Sequence, residues 1–310
     1  MLPRALRPGD LIGVPSPASP APLDKLAAGQ AELEDMGFRV RLGPLAGVMP
    51  SAGRFGADDD ARAGELNAML SDPAVRAIIP ARGGYGMTRI LDRIDYAALH
   101  RDPKPIVGFS DITALLAAVW RRTGVVAWHG RMAGQNSPWS DYDRQSLLRA
   151  LKDPGPLGLV PTPPDGPPRL TIVPGRATGV LLGGNLSMLA ALLGTPYELI
   201  PAGGLLLLED VREPVYRIDR MLTSLRLAGT LAGVRGVVFA ETVGVTDDAG
   251  RPSPDFVATV AGILAPLAIP CYYGLAAGHG RHHATLPLGV NAQLDADRCE
   301  LRILDPALCR

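Results

Sequence analysis

The chain has 310 residues, and its 31 lysines and arginines balance 31 aspartates and glutamates, so the formal net charge at pH 7 is zero. At roughly 150 residues per domain, this length predicts about two domains. Proteins that bind nucleic acid or anionic membrane surfaces normally carry an excess of basic residues, so the balanced charge argues against both partners.

Three cysteines, Cys271, Cys299 and Cys309, form no CxxC pair. This argues against a disulfide framework and against a cysteine-rich zinc site. No apolar run approaches the roughly 18 residues that a membrane span needs, and prolines interrupt the start of the chain where a secretory signal would be continuously apolar. We therefore expect a soluble protein of a reducing compartment, most simply the cytoplasm.

The first half alternates short apolar runs with helical patterns. This alternation is typical of a doubly wound parallel sheet, which binds ligands at the carboxyl ends of its strands. The predicted strands are Leu11–Val14, Phe38–Leu42, Val75–Ile79, Ile106–Phe109 and Val125–Trp128, and the predicted helices are Leu23–Met36, Asp58–Leu70, Met87–Ile94 and Ile112–Arg122.

The second half is less regular and indicates an α+β domain. Seven prolines fall within residues 153–170, which makes this stretch the best candidate for a linker. We therefore expect an N-terminal α/β domain over 1–150, a proline-rich linker over 151–172 and a C-terminal domain over 173–310. Strands are predicted at Leu205–Leu208, at Val234–Phe239 and twice in the tail around a turn at Asp295–Asp297, and a helix at Ile218–Leu227.

Two strings of the first half contain groups suited to acyl transfer. In VGFSDIT, Ser110 lies where a predicted strand turns into a helix, so its hydroxyl would meet free backbone N–H groups. The alternative, which spacing alone favours, is that Ser110 is only an N-cap. In ARGGYGMT, adjacent glycines let the backbone approach a ligand, or they form only a tight turn. Arg82 beside them is a candidate partner for a substrate carboxylate, or a surface arginine.

The second half contributes acids and histidines. Glu209 and Asp210 end a buried strand, where an acid can orient a histidine or bind a cation, unless the strand end is simply solvated. His279 lies between two glycines and is a candidate general base, a member of a metal cluster with His282 and His283, or a loop residue. The H-E-x-x-H spacing of zinc enzymes is missing.

Two further polar residues are candidates for substrate contact. Asn185 in GGNLSML precedes a predicted helix, so it is either an N-cap or a side-chain amide that contacts substrate. His129 in WHGRM follows a predicted strand and either lines the same cleft or is packed in the core.

The sequence resembles the LD-carboxypeptidase family of serine peptidases, which includes muramoyltetrapeptide carboxypeptidases and microcin C self-immunity peptidases. The resemblance covers nearly the whole chain and rests on six strings in the family's order: RGGYG, GFSDIT, WHG, GGNLSML, LLLEDVREPVYRIDRML and GLAAGHG. One departure is Arg131, which follows His129-Gly130 where many relatives have proline.

The resemblance implies a catalytic triad of Ser110 as nucleophile, Glu209 as acid and His279 as base, with the backbone N–H groups of Gly84 and Asp111 as the oxyanion hole. It implies a flavodoxin-like N-terminal α/β domain and a smaller, β-rich C-terminal domain with the site between them. It also implies a homodimer that uses no metal and no cofactor.

The resemblance implies that the enzyme releases a C-terminal D-amino acid, expected to be D-alanine, from murein tetrapeptides in cell-wall recycling. The expected partner is therefore a peptide or muropeptide substrate. One alternative is a microcin C-type immunity peptidase that cleaves a peptidyl-nucleotide antibiotic with the same triad. An alternative from another class is a non-catalytic protein that binds a nucleotide or muropeptide.

Overall fold

The computed structural model describes residues 1–50, 54–135, 138–199, 201–245 and 253–310. The chain divides into two compact units. The first unit consists of Met1–Pro154, Thr285–Pro287 and Ala307–Arg310, and the second of Gly155–Ala284 and Leu288–Pro306.

Parallel strands alternate with helices in the first unit. The strands are β1 (Leu11–Val14), β2 (Arg39–Leu42), β3 (Val75–Ile78), β4 (Val107–Gly108) and β5 (Ala127–His129). The helices are α1 (Leu23–Asp35), α2 (Asp59–Ser71), α3 (Tyr96–Arg101), α4 (Thr113–Thr123) and α5 (Asp141–Lys152).

The strand order of this unit is that of flavodoxin-like proteins. β1 lies between β2 and β3, and β4 pairs with β5, all in parallel. A parallel bridge between Ile78 and Ile106 links the two sets and gives the order 2-1-3-4-5. The predicted doubly wound α/β fold is therefore confirmed.

Local sequence accounts for the helix ends in this unit. The Asp58 side chain caps α2 by accepting a hydrogen bond from the Ala61 N–H at 2.8 Å. Helix α4 ends at Gly124, which has a φ of 65°, a conformation that glycine adopts without steric cost. Over Met87–Ile94, where one helix is predicted, the structure has two short 3-10 turns, Met87–Arg89 and Leu91–Arg93.

The second unit is built on a mixed sheet of eight strands, which confirms the predicted β-rich α+β architecture. Its strands are β6 (Pro156–Leu159), β7 (Leu170–Val173), β8 (Arg176–Asn185), β9 (Leu205–Glu209), β10 (Gly236–Ala240), β11 (Cys271–Leu275), β13 (Val290–Asp295) and β14 (Glu300–Pro306). A further strand, β12 (Leu286–Leu288), extends the β4–β5 sheet of the first unit. The helices are α6 (Leu186–Ala191), α7 (Val215–Leu227) and α8 (Pro254–Leu264).

The centre of the eight-stranded sheet is parallel and buried. Its order is β6-β14-β13-β8-β9-β10-β11-β7, in which β8 to β11 are parallel and the outer pairs are antiparallel. All residues of β9 and β10 are buried, as expected for parallel strands covered on both faces. The carboxyl ends of β8 and β9 therefore carry Asn185 and Glu209 side by side.

The observed units differ from the predicted domains at two places. The stretch predicted as a linker, 151–172, contributes β6 and most of β7 to the second unit. Pro156, the first residue of β6, is tolerated because β6 is an edge strand, where a missing N–H costs no ladder bond. The segments 285–287 and 307–310, predicted in the C-terminal domain, belong to the first unit. No helix in the described parts of the chain is long and apolar enough to cross a membrane.

Candidate active site

Ser110 lies on a strained turn between β4 and α4. The backbone leaves β4 at Gly108, is extended at Phe109, and enters a 3-10 turn over Ser110–Ile112 that leads into α4. Ser110 has a φ of 58°, which is uncommon for a residue with a side chain and costs free energy. The strand-to-helix turn predicted at Ser110 is thus present. Among the described residues, no side-chain cap bond is made at this helix start, so Ser110 is not the N-cap of α4.

The glycine loop of ARGGYGMT packs directly against this turn. A Cβ atom placed on Gly83 would lie 3.1 Å from Ser110 Cβ and 3.3 Å from both Ser110 Oγ and the Asp111 backbone N. These distances are tighter than ordinary contacts, so only glycine lets the loop lie this close to the serine. The glycine loop therefore packs against the Ser110 turn and is not only a solvent-exposed turn.

The Asp111 side chain ties the loop to the turn. Its carboxylate accepts a hydrogen bond from the Met87 N–H at 2.8 Å and is 3% exposed. Burial raises the pKa of the Asp111 carboxyl, and the hydrogen bonds from the backbone N–H groups of Met87 and Gly86 lower it in part. Asp111 thus connects two strings that the sequence presents as separate candidates.

In the second unit, His279 and Glu209 form a short hydrogen bond. His279 Nδ1 lies 2.6 Å from Glu209 Oε2, and the Glu209 side chain is fully buried. Burial lowers the pKa of His279, but the negative charge and the hydrogen bond of Glu209 outweigh it, so the pKa lies above its ordinary value. With Nδ1 directed at the carboxylate, Nε2 is the nitrogen that can accept a proton from a substrate or nucleophile.

Asn185 holds the other oxygen of this carboxylate. Its Nδ2 donates to Glu209 Oε1 at 3.1 Å and to Asp210 Oδ1 at 3.2 Å, while its Oδ1 accepts from the Met188 N–H. Asn185 is 5% exposed. It is the N-cap of α6, as one interpretation of the sequence predicted, and it also orients the acid.

Asp210 serves a different purpose from Glu209. Its Oδ2 accepts from the backbone N–H of Ser187 at 2.9 Å and from the Ser187 hydroxyl at 2.7 Å, which fixes the start of α6. Burial raises the pKa of Asp210, the Ser187 bond lowers it, and the charge of Glu209 raises it further. Of the two adjacent acids, Glu209 therefore bonds to the histidine, and Asp210 bonds to the start of α6.

The glycine after His279 allows a close approach of a third acid. A Cβ atom on Gly280 would lie 1.7 Å from Glu241 Oε2, so a larger residue would displace that carboxylate. Burial raises the pKa of Glu241, and the neighbouring His282 lowers it. The histidine loop is thus fitted around Glu241 as well as around Glu209.

The three clustered histidines have separate surroundings. His282 Nε2 lies 2.8 Å from Asp165 Oδ1, and Asp165 also accepts from Arg281. His283 is buried beside Ala277, with which it forms an isolated bridge. Within the described residues, no group of three or more His, Cys, Asp or Glu side chains is arranged to hold a metal ion.

The remaining sequence candidates lie in the first unit. Arg82 is half-buried, and its guanidinium lies 3.5 Å from the Pro20 carbonyl. His129 is fully buried at the end of β5, edge-on to Phe109 at 5.9 Å between ring centroids. Arg131 forms a buried ion pair with Asp143 at 3.0 Å.

Sequence reasoning missed two side chains that support the glycine loop. Ser19 follows β1, and its hydroxyl accepts from the Tyr85 N–H at 3.1 Å. Arg62 in α2 is 1% exposed and donates to the Gly86 carbonyl at 3.2 Å. The position of Ser19 after β1 was a usable signal, since ligands of such sheets bind at the carboxyl ends of β1 and β3. Arg62 lies in the first turn of α2, among acidic residues, and the sequence gives no signal that it supports the loop.

Comparison with known proteins shows which family has this arrangement of sequence. Models of the LD-carboxypeptidase N-terminal and C-terminal domains match residues 12–130 and 178–294. A Streptomyces coelicolor protein named as a carboxypeptidase is 40% identical over 99% of this chain and 97% of its own. The chain belongs to the LD-carboxypeptidase family. The predicted family and the class of enzyme, a serine-type carboxypeptidase, are confirmed.

Two other relatives carry different names. The murein tetrapeptide carboxypeptidase of Pseudomonas aeruginosa is 32% identical over 93% of this chain and 94% of its own. The microcin C7 self-immunity protein of Escherichia coli is 27% identical over 99% of this chain and 97% of its own. A solved structure of the self-immunity protein with aspartyl sulfamoyl adenosine has a TM-score of 0.89 at 25% identity, covering both chains fully. This LD-carboxypeptidase is thus similar both to a protein named for a murein tetrapeptide and to a self-immunity protein solved with an aminoacyl sulfamoyl adenosine.

Proposed function

We propose that this LD-carboxypeptidase uses Ser110 as nucleophile, His279 as general base and Glu209 as the acid that orients the histidine. The observation that carries the proposal is the 2.6 Å bond between His279 Nδ1 and the fully buried Glu209 carboxylate. A buried acid on one ring nitrogen fixes the tautomer and leaves the other nitrogen as base, which is the arrangement that serine hydrolases require.

In the proposed reaction, the Ser110 hydroxyl attacks the scissile carbonyl as His279 Nε2 takes its proton. The imidazolium that forms is stabilised by Glu209, which stays ionised. His279 then gives the proton to the leaving amine, and the terminal amino acid departs. Water attacks the acyl-enzyme with His279 again as base, which restores Ser110.

The oxyanion of the tetrahedral intermediate is stabilised, in this proposal, by the backbone N–H groups of Gly84 and Asp111. The closeness of the glycine loop to the serine turn in the first unit supports it, because a Cβ atom placed on Gly83 would lie 3.3 Å from both Ser110 Oγ and the Asp111 backbone N. Removing one such donor typically costs about a hundredfold to a thousandfold in kcat.

The proposed substrate is a murein tetrapeptide, and the product is a free C-terminal D-amino acid, D-alanine. The name of the Pseudomonas aeruginosa relative supports this substrate. A carboxypeptidase also needs a partner for the terminal carboxylate, and we assign this to Arg82, whose guanidinium suits bidentate binding. Contacts of His129 and Asn185 with substrate, a homodimer and a cytoplasmic role in wall recycling stay predictions.

The test is mass spectrometry of a murein tetrapeptide incubated with the protein. We expect loss of one terminal D-alanine, full activity in EDTA, and turnover by Ser110→Ala lower by about a thousandfold or more with unchanged thermal unfolding. A Ser110→Ala variant that keeps more than about a tenth of the wild-type rate would exclude Ser110 as nucleophile.

A second candidate substrate is a peptidyl-nucleotide, as in microcin immunity. The observation that favours it is the similarity, over the full length of both chains, to a self-immunity protein bound to aspartyl sulfamoyl adenosine. The two substrates are distinguished by comparing turnover of the tetrapeptide with turnover of an aminoacyl sulfamoyl adenosine at equal concentrations. Preference for the nucleoside would assign the enzyme to detoxification.

A further inference from the structure

The glycine loop, residues 81–88, has a backbone conformation that its own residues do not fix. Gly84 and Gly86 have φ values of +104° and +114°, in the region that residues with side chains rarely adopt. Glycine gives the loop access to this conformation but also leaves it free to adopt many others. A hydrogen-bond donor that stabilises an oxyanion has to be fixed before the reaction begins. Bonds from outside the loop must therefore fix it.

Ser19 bonds to the loop on both sides of Gly84. Its backbone N–H donates to the Gly83 carbonyl at 3.2 Å, and its hydroxyl accepts from the Tyr85 N–H at 3.1 Å. The Gly83 carbonyl and the Gly84 N–H belong to one planar trans peptide, in which they point in opposite directions. A Ser19 that holds the carbonyl therefore directs the Gly84 N–H away from itself.

Asp111 bonds to the other end of the loop. Its carboxylate accepts from the Met87 N–H at 2.8 Å. Its own backbone N lies 3.3 Å from a Cβ placed on Gly83. One residue therefore supplies an oxyanion donor from its backbone and, through its side chain, anchors the loop that carries the second donor.

Arg62 adds further hydrogen bonds to the glycine loop. Its buried guanidinium donates to the Gly86 carbonyl at 3.2 Å and to the Pro17 carbonyl. It thereby joins the segment after β1, which carries Ser19, to the loop after β3. Since these bonds are buried, solvent competes little for them.

We propose that the Ser19 hydroxyl and the Asp111 carboxylate are positioning groups that set the separation of the two oxyanion donors. This inference rests on the proposed function, because it assumes that Ser110 is the nucleophile and that the N–H groups of Gly84 and Asp111 bind the oxyanion. It predicts effects on kcat rather than on substrate binding, since neither side chain is assigned a contact with the substrate.

The experiment compares Ser19→Ala and Asp111→Asn with Ser253→Ala in the full-length enzyme. Ser253 is a matched control, because its hydroxyl also accepts one backbone N–H, that of Phe256 at 3.2 Å, at the start of α8 in the second unit. We expect kcat on the tetrapeptide to fall about tenfold in Ser19→Ala and about a hundredfold in Asp111→Asn, with KM within about twofold. Ser253→Ala is expected to keep the wild-type kcat.

A second readout does not depend on the natural substrate. When a fluorophosphonate labels Ser110, the Oγ–P bond forms, the P–F bond breaks, fluoride leaves and the proton passes to His279. The phosphonyl oxygen then occupies the oxyanion hole, so the labelling rate is expected to fall in parallel with kcat. If thermal unfolding shows that Asp111→Asn does not fold, the inference is tested by Ser19→Ala alone.

Wild-type labelling rates in Ser19→Ala, or losses no larger than those of Ser253→Ala, would overturn the inference. If Ser110→Ala is inactive at the same time, the inference alone fails and the proposed function stands. If Ser110→Ala turns over substrate, the proposed function fails and the inference fails with it.

Discussion

The Ser110 turn and the His279–Glu209 pair are held in place by different kinds of interaction. In the first unit, the position of Ser110 depends on backbone geometry: a positive φ at the serine and a glycine loop packed against it. In the second unit, the position of His279 depends on a buried charge, since Glu209 is fully buried and bonded to both the histidine and Asn185. Steric substitutions should therefore damage the first region, and charge substitutions the second.

The largest effect on the charged region is expected from Glu209→Gln. The amide keeps the size of the side chain but no longer stabilises the imidazolium, and it can hold the wrong histidine tautomer. We expect kcat to fall about a thousandfold or more, measured by release of D-alanine. The control is Glu241→Gln, which alters a half-buried acid near His282 of the histidine loop and is expected to keep kcat within about threefold. Equal losses in both variants would mean that Glu209 has only a structural role.

The backbone-dependent region is tested by Gly83→Ala. The added methyl group would lie 3.1 Å from Ser110 Cβ and 3.3 Å from Ser110 Oγ, so the loop or the serine has to shift by a few tenths of an ångström. We expect kcat to fall about tenfold to a hundredfold, because small displacements of reacting groups are costly. Gly262→Ala in α8 is the control, since a Cβ there meets nothing within 4 Å. The account fails here if Gly83→Ala is as active as Gly262→Ala.

The charged region also sets the pH dependence. Burial lowers the pKa of His279, but Glu209 raises it by a larger amount. The pKa of His279 in the free enzyme therefore lies above the usual value of about 6.5. Because His279 must be neutral to act as base, kcat/KM is expected to rise with pH through this raised pKa. Glu209→Gln should move the profile to lower pH, and an unmoved profile would show that another group titrates.

The same pKa shift predicts how stability depends on pH. A raised pKa means that the folded protein binds a proton more tightly than the unfolded chain does. The stabilisation by the His279–Glu209 pair is therefore complete below the ordinary histidine pKa and is lost as pH rises through the raised pKa. Thermal unfolding across this range, compared between the wild type and Glu209→Gln, measures the difference.

The smallest effect is expected from Asp165→Asn. Asp165 bonds to Arg281 and His282 next to the histidine loop, but about half of its side chain is exposed. The hydrogen bond from His282 lowers the pKa of Asp165. Exposed ion pairs contribute little, so kcat should change by less than about twofold. A loss approaching that of Glu209→Gln would show that the loop depends on surface charge.

Sequence predicted the two regions to different degrees. The Ser110 turn was predictable from local signals, because an apolar strand pattern and a helix pattern meet at that residue. The partnership of His279 with Glu209 was not predictable from local signals, since 70 positions separate the two residues and each alone also allowed a non-catalytic role. Only the resemblance to the family implied it. Asn185 was predictable as an N-cap, but its bond to Glu209 depends on the parallel register of β8 and β9. The predicted linker shows the opposite error, because Pro156 lies in the edge strand β6 and residues 170–172 belong to β7, although residues 160–169 between these strands form neither helix nor strand.

The most direct test of the account is fluorophosphonate labelling followed by peptide mapping, in the wild type and in His279→Ala. The account predicts a single label on Ser110 in the wild type and a labelling rate at least about a hundredfold lower in His279→Ala, because the base would be missing. Labelling of a different residue, or an equal rate at Ser110 without the imidazole, would contradict it.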